Sequence, residues 1–194
     1  MGYDPEKHHR RSIRLKDYDY SRAGAYFVTI CTHGKKCLFG DVVDGVVELS
    51  PIGKTARRFW LEMPRHSENI RLDGFTVMPN HIHGIVTIQN IGIQGDNAAP
   101  RRGVLLNASN TSRDYYSQIS PKKNTLSVVI RTYKSALTRW CRQNNYAYFR
   151  WQRNYYEHVI RDEEDLNQIR EYIISNSLKW DLDKENPANF KATK

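Results

Sequence analysis

Two apolar, β-prone runs, Phe75 to Met78 and Ile82 to Ile88, are separated by little more than Pro79-Asn80. A linker that short sends the second run back beside the first, because a parallel return needs a crossover of a dozen residues or more. The chain is thereby committed to an antiparallel sheet. Side chains alternate along a strand, so His81 and His83 project from one face while Ile82, Gly84, Val86 and Ile88 occupy the other. Two imidazoles at that spacing are a preorganised half of a metal site. Taken alone the pair fits packing as well, and zinc would ask for more ligands of this kind than the sequence displays.

The remaining segments supply what such a sheet packs against. Ala25 to Thr32 is rich in β-branched and aromatic residues between Gly24 and Gly34, which predicts a central strand. Asp44-Gly45 between two valine pairs predicts a tight hairpin, since a primed turn needs positive φ at both central positions. Ser50-Pro51 opens a helix whose apolar residues are Ile52, Ala56, Phe59 and Met63. Leu126, Ile130, Tyr133, Leu137 and Cys141 mark a second helix, with Arg131, Lys134, Arg139 and Arg142 around its exposed side. Phe149 to Ile160 reads as a short strand or irregular segment against the sheet. Asp162 caps a third helix that runs to about Ser175, with Leu166, Ile169 and Ile173 inward. The expected fold is an α+β sandwich, ferredoxin-like or RRM-like, with helices packed on an antiparallel sheet.

One domain is expected, spanning 23–180, because 194 residues with 39% hydrophobic content bury a single core. Before it, residues 1–22 form a basic arm containing Arg10, Arg11 and Arg14. Within it, about 90–124 turns to Gly, Asn, Ser, Pro and charge without a sustained period, which predicts a flexible insertion. A polar tail is expected over 181–194. The formal charge of +9 favours a phosphate-rich partner through counterion release, so nucleic acid comes first. Cys31, Cys37 and Cys141 are widely spaced and include no CxxC pair, which fits a reduced cytoplasmic setting. No signal peptide, anchor or membrane span is read from the sequence.

Tyr172 and Asn176, four residues apart, share one face of the third helix with Asp165 and Ile169. Position alone does not single out Tyr172 among 12 tyrosines, since a tyrosine at a helix boundary commonly packs its ring and wets its hydroxyl.

Several separated segments carry a resemblance. YDYSRAGAYFVTICTHGKKCLFG (Tyr18 to Gly40), VMPNHIHGIV (Val77 to Val86), WQRNYYEHVIRDEEDL (Trp151 to Leu166) and YIISN (Tyr172 to Asn176) resemble, in sequence and in order, the REP-associated tyrosine transposases of the HUH single-tyrosine transposase family. With the helices between them these segments reach from Tyr18 to Trp180. The resemblance implies that His81-Ile82-His83 is the HUH motif, that Tyr172 is the catalytic tyrosine, and that Asn176 is a third metal ligand. It implies Mg2+ or Mn2+ as cofactor and single-stranded, hairpin-forming DNA as partner. The reaction it implies is cleavage and rejoining through a 5′-phosphotyrosine, by a monomer or a homodimer. Ser177 stands where close relatives have Pro, and the 90–124 stretch is longer than most.

DNA contacts are expected from Arg10, Arg11, Arg14, Arg131, Lys134, Arg153, Tyr155 and His158. Tyr155 and Tyr156 are the rival nucleophiles. The alternatives are a catalytically silent protein that binds DNA or RNA hairpins, and an HUH replication initiator or relaxase.

Overall fold

The computed structural model describes residues 23–89 and 125–189. The N-terminal arm with Arg10, Arg11 and Arg14, the 90–124 insertion and residues 190–194 lie outside them. Chain order is β1 (Gly24–Cys31), a β2–β3 hairpin (Gly40–Val43 and Val46–Leu49), α1 (Pro51–His66), β4 (Ile70–Val77), β5 (His81–Ile88), α2 (Leu126–Gln143), β6 (Tyr156–Ile160) and α3 (Glu163–Ser175).

The main sheet has the order β4-β5-β1-β6, and every neighbouring pair is antiparallel. With the hairpin set aside, the succession β1, α1, β4, β5, α2, β6 is the ferredoxin-like βαββαβ arrangement, as expected. The hairpin is a separate two-stranded ribbon between β1 and α1. Its turn has φ of 50° at Asp44 and 76° at Gly45, the primed geometry that this dipeptide favours.

Local chemistry sets the helix ends. Ser50 Oγ accepts from Gly53 N at 3.1 Å, and Pro51 fills the first helical position, where a missing N–H costs nothing. Asp162 accepts from Asp165 N at 2.8 Å to start α3. β4 begins earlier than hydropathy suggests, at Ile70, because Arg71 and Asp73 interrupt its apolar run; the pairing register shifts between Leu72 and Phe75.

Alternation divides the sheet into two faces. Tyr26, Val28 and Ile30 of β1 and Ile82, Val86 and Ile88 of β5 join Ala56, Trp60, Ile130 and Leu137 in the large core beneath α1 and α2. Tyr133 Oη donates to Ala56 O at 3.0 Å and so ties α2 to α1 inside that core. On the opposite face α3 covers a smaller cluster of Phe27, Ile85 and Ile173. Arg170 of α3 also reaches Asp73 of β4, with Nη2 to Oδ2 at 2.6 Å.

The chain beyond Trp180, expected as a polar tail, is folded through Asn189. It forms 3-10 turns over Ser177–Leu182 and Pro187–Asn189, and Asn186 Nδ2 donates to Trp180 O at 3.0 Å. Polarity misled here because the segment is held by hydrogen bonds to its own backbone and to the sheet, not by apolar burial.

Gly84 lies where β5 meets α1, and a Cβ there would overlap the Trp60 indole. Gly84→Ala should therefore destabilise the fold by about 1–3 kcal/mol through overpacking, read from the midpoint of urea unfolding. Adding Trp60→Phe should recover part of that loss, and a Gly84→Ala protein as stable as the parent would contradict this packing.

Candidate functional site

His81 and His83 sit on the α3 face of β5, opposite Cys31 and Thr29 of β1. Both are buried, at 0% and 1% exposure, on the same strand whose other face builds the main core. Each imidazole is fixed through Nδ1. His81 Nδ1 lies 2.7 Å from Asn80 Oδ1, and the Asn80 amide nitrogen donates to Glu185 O at 2.7 Å and Lys35 O at 3.0 Å. That amide orientation leaves Oδ1 as an acceptor, so His81 Nδ1 carries the proton and Nε2 the lone pair. His83 Nδ1 meets Thr29 Oγ1 at 2.9 Å. The two Nε2 atoms then face one another at 2.9 Å.

α3 brings the phenol to this point. Tyr172 Oη lies 3.1 Å from His83 Nε2, and its ring meets Phe27 edge-on with centroids 6.0 Å apart. Asn176, one turn further on, is buried, and its Oδ1 has no hydrogen-bond partner. The folded segment after α3 adds a group that sequence reasoning missed. Asp183 is buried with Oδ2 unpartnered and 3.7 Å from His81 Nε2. Nothing in the sequence distinguishes Asp183 from the nearby Asp181 and Glu185. Its place depends on the backbone turn that returns the chain to Asn80, and on the Lys35–Glu185 ion pair at 2.9 Å.

Burial dominates the electrostatics. Loss of water pushes the His81 pKa down to about 4, and burial followed by repulsion from His81 puts His83 well below the ordinary histidine value. Both rings are therefore neutral at pH 7, and the approach of Asp183 to His81 is not an ion pair. Burial also pushes Tyr172 up to about 12; Asp183 and Glu185 add to the rise, and a hydrogen bond from Asn176 opposes it.

This donor set fits a divalent cation. Ligand atoms of His81, His83 and Asp183 lie within 4.8 Å of one another. The two Nε2 atoms face one another at 2.9 Å, a contact that the N–H of one neutral imidazole or a shared cation can each bridge. A cation held there would also satisfy the orphaned Asp183 Oδ2.

A cleft of about 590 Å³ opens over these groups, lined by His83, Tyr172, Asn176 and Asp183 and, further along, by Tyr156, His158 and Asp165. Of the other candidates among the described residues, His158 and the rival nucleophile Tyr156 share it. Arg131, Lys134, Arg153 and Tyr155 line a groove along α2, on the opposite face of the sheet. Tyr155 therefore points away from the imidazoles. Lys134, expected to contact DNA, also has partners within the chain: its Nζ donates to Gln152 O at 2.6 Å and reaches Arg153 O and Asn154 O, which ties its charge to the loop before β6.

Comparison with known proteins gives a relative in sequence and solved structures of similar fold. An uncharacterized protein of Haemophilus influenzae is 39% identical over 181 residues, 93% of this chain and 95% of its own length. A REP-associated tyrosine transposase, solved bound to a REP hairpin, superposes with a TM-score of 0.55 over 90% of this chain and 77% of its own. At 18% identity that likeness shows a shared fold. No protein-family profile matches the chain.

If Asp183 completes a cation site, Asp183→Asn should lower Mn2+ affinity at least about tenfold while leaving the fold intact. Mn2+ titration followed by electron paramagnetic resonance reads this, and undiminished affinity would remove Asp183 from the ligand set.

Proposed function

We propose that this chain, which belongs to one family with the Haemophilus influenzae protein, is a transposase that cleaves and rejoins single-stranded DNA with Tyr172 as the nucleophile. The observation that carries the reading is the 3.1 Å approach of Tyr172 Oη to His83 Nε2, beside donor atoms arranged for a cation. The REP hairpin bound by the transposase of shared fold supports hairpin-forming DNA as the partner. So does the charge of the α2 face. From Thr125 to Tyr156 there is no Asp or Glu, and Arg131, Arg139, Arg142 and Arg153 all line one groove there, a footprint suited to a phosphate backbone.

Cleavage is slow in water because a weak nucleophile must approach an anionic phosphorus. His81 and His83 answer with neutral Nε2 atoms at fixed positions, oriented from behind by Asn80 and Thr29. Asp183 brings a carboxylate oxygen to the same cluster, and the unpartnered Asn176 Oδ1 belongs to a residue lining the cleft beside it. When bound, a divalent ion supplies charge neutralisation at a non-bridging phosphate oxygen. Two imidazoles in the donor set favour manganese over magnesium.

Tyr172 is protonated at neutral pH, as an ordinary tyrosine is, and its pKa is raised further, first by desolvation and second by the Asp183 charge. Offsetting that carboxylate eases the loss of the phenolic proton. Tyr172 Oη then bonds to phosphorus as the bond to the 3′-oxygen breaks; the phenolic proton passes to water and the departing oxygen takes one up from water, which leaves a 5′-phosphotyrosine and a 3′-hydroxyl. The phosphodiester energy is kept in the new ester, so the hydroxyl of another end can reverse the step without ATP. Because Tyr172 meets the imidazoles of its own chain, a single subunit carries the whole set.

Purified protein mixed with a labelled single-stranded DNA hairpin and Mn2+ should give a covalent adduct that survives denaturing electrophoresis. Tyr172→Phe should abolish the adduct and change DNA affinity less than about twofold, since it removes the nucleophile and little else. An adduct that persists in the phenylalanine variant would overturn the assignment. Binding without any adduct in the parent would favour a silent hairpin-binding protein.

A further inference from the structure

The cleft extends well past the space one phosphate takes up. Its far end is formed by β6 and the first turn of α3, where Tyr156, His158 and Asp165 converge and none has a part in the chemistry of Tyr172. Tyr156 stands on a strand at the edge of the sheet and is 49% exposed. Thr29 pairs with His83 on one side and with Tyr156 on the other, so the imidazole and the tyrosine lie on one row, separated by the width of two strand spacings. That separation is about 9–10 Å, a reach from phosphate to base that one nucleotide can span. Phe27 fills the interval, with its ring centroid 5.3 Å from His83 and 6.4 Å from Tyr156. A continuous aromatic floor thus runs from the imidazoles to the sheet edge.

His158 borders this floor and is held in one orientation. Its Nε2 lies 2.9 Å and 3.2 Å from the two Asp165 carboxylate oxygens, and Asp165 Oδ2 also accepts from Arg161 N at 3.3 Å. The carboxylate fixes the proton on Nε2 and leaves Nδ1 without a partner among the described residues. Lys184 completes the surroundings. Its Nζ lies 6.0 Å from the Tyr156 ring, at the outer limit of a cation–π contact, and its charge acts on both His81 and His83. A nucleotide running from the imidazoles to Tyr156 would pass beside this ammonium.

We infer that the far end of the cleft is a nucleobase subsite, in which the base next to the scissile phosphate stacks on Tyr156 and presents an N–H group to His158 Nδ1. Asp165 acts through His158 as a positioning residue, and Lys184 meets the sugar–phosphate chain on its way. The inference rests on the DNA-cleaving reading above and adds to it the place where substrate is gripped. Stacking on an exposed ring tolerates any base, whereas an N–H donor to His158 selects among base edges.

The test uses the full chain with Tyr172→Phe, so that binding is measured without cleavage. A short fluorescent oligothymidylate and an abasic deoxyribose-phosphate strand of equal length serve as probes in anisotropy titrations. Tyr156→Leu should weaken oligothymidylate binding about tenfold and Tyr156→Phe should not, because the ring and not the hydroxyl makes the stack. The abasic strand should bind the Tyr156 parent and Tyr156→Leu alike. His158→Phe should weaken oligothymidylate and spare the abasic strand. Equal oligothymidylate affinity in Tyr156→Leu and its parent, or equal losses on both probes, would overturn the subsite. Failure of the cleavage reading is separate: it shows as no Tyr172 adduct in the otherwise unaltered chain, whatever Tyr156→Leu does to binding.

Discussion

β5 is buried on both faces, and its period of two assigns a different task to each. Ile82, Val86 and Ile88 close the main core under α1 and α2, while His81, His83 and Ile85 are roofed by α3 and the segment that follows it. Shifting the register by one residue would exchange the sets, leaving imidazoles in an apolar core and the chemistry without ligands. Core and site are therefore specified by the same backbone pairing with β1. Burial of the second face then sets the chemical state of the histidines, because a charged imidazole without water costs more than neighbouring carboxylates return. Neutral rings with Nδ1 engaged are ligands in waiting.

The parts legible in the sequence were those fixed by local rules. Asp44-Gly45 needs positive φ, Ser50-Pro51 caps a helix, Asp162 starts α3, and the alternation from His81 to Ile88 divides the two faces. Tyr172 and Asn176 share a face for the same reason, but their approach to His83 came from family resemblance, since helix spacing does not say what a helix faces. Asp183 and Lys134 were not legible. Asp183 arrives by a backbone turn pinned through Asn80 and Lys35, contacts distant in sequence. Lys134 looks like one member of a basic stripe and also closes on three carbonyls of the loop before β6, over the ring of Trp151. Both omissions have one origin: composition reports a side chain's charge and not the partner that the fold provides.

Charge is also divided between the faces of the sheet. The α2 groove is lined by Arg131, Arg139, Arg142 and Arg153 without a carboxylate, whereas the cleft under α3 mixes Asp165, Asp183 and Glu185 with Lys179 and Lys184. A polyanion is drawn more strongly to the first. The edge strand β6 lies between them, and consecutive residues Tyr155 and Tyr156 face the groove and the cleft respectively. The basic groove and the imidazole cleft are thus placed on opposite sides of one strand.

Charge also links Tyr172 to its surroundings. Asp183 is the second cause of the high Tyr172 pKa after burial, and it is also a donor in the cation-competent cluster. A cation bound there would therefore change two things together: it would take His83 Nε2, the atom 3.1 Å from Tyr172 Oη, and it would balance the carboxylate that helps raise the phenol's pKa. Neither change requires α3 to move as a body, because a tyrosine side chain turns about its own bonds while Ile173 keeps the helix seated on Phe27 and Ile85.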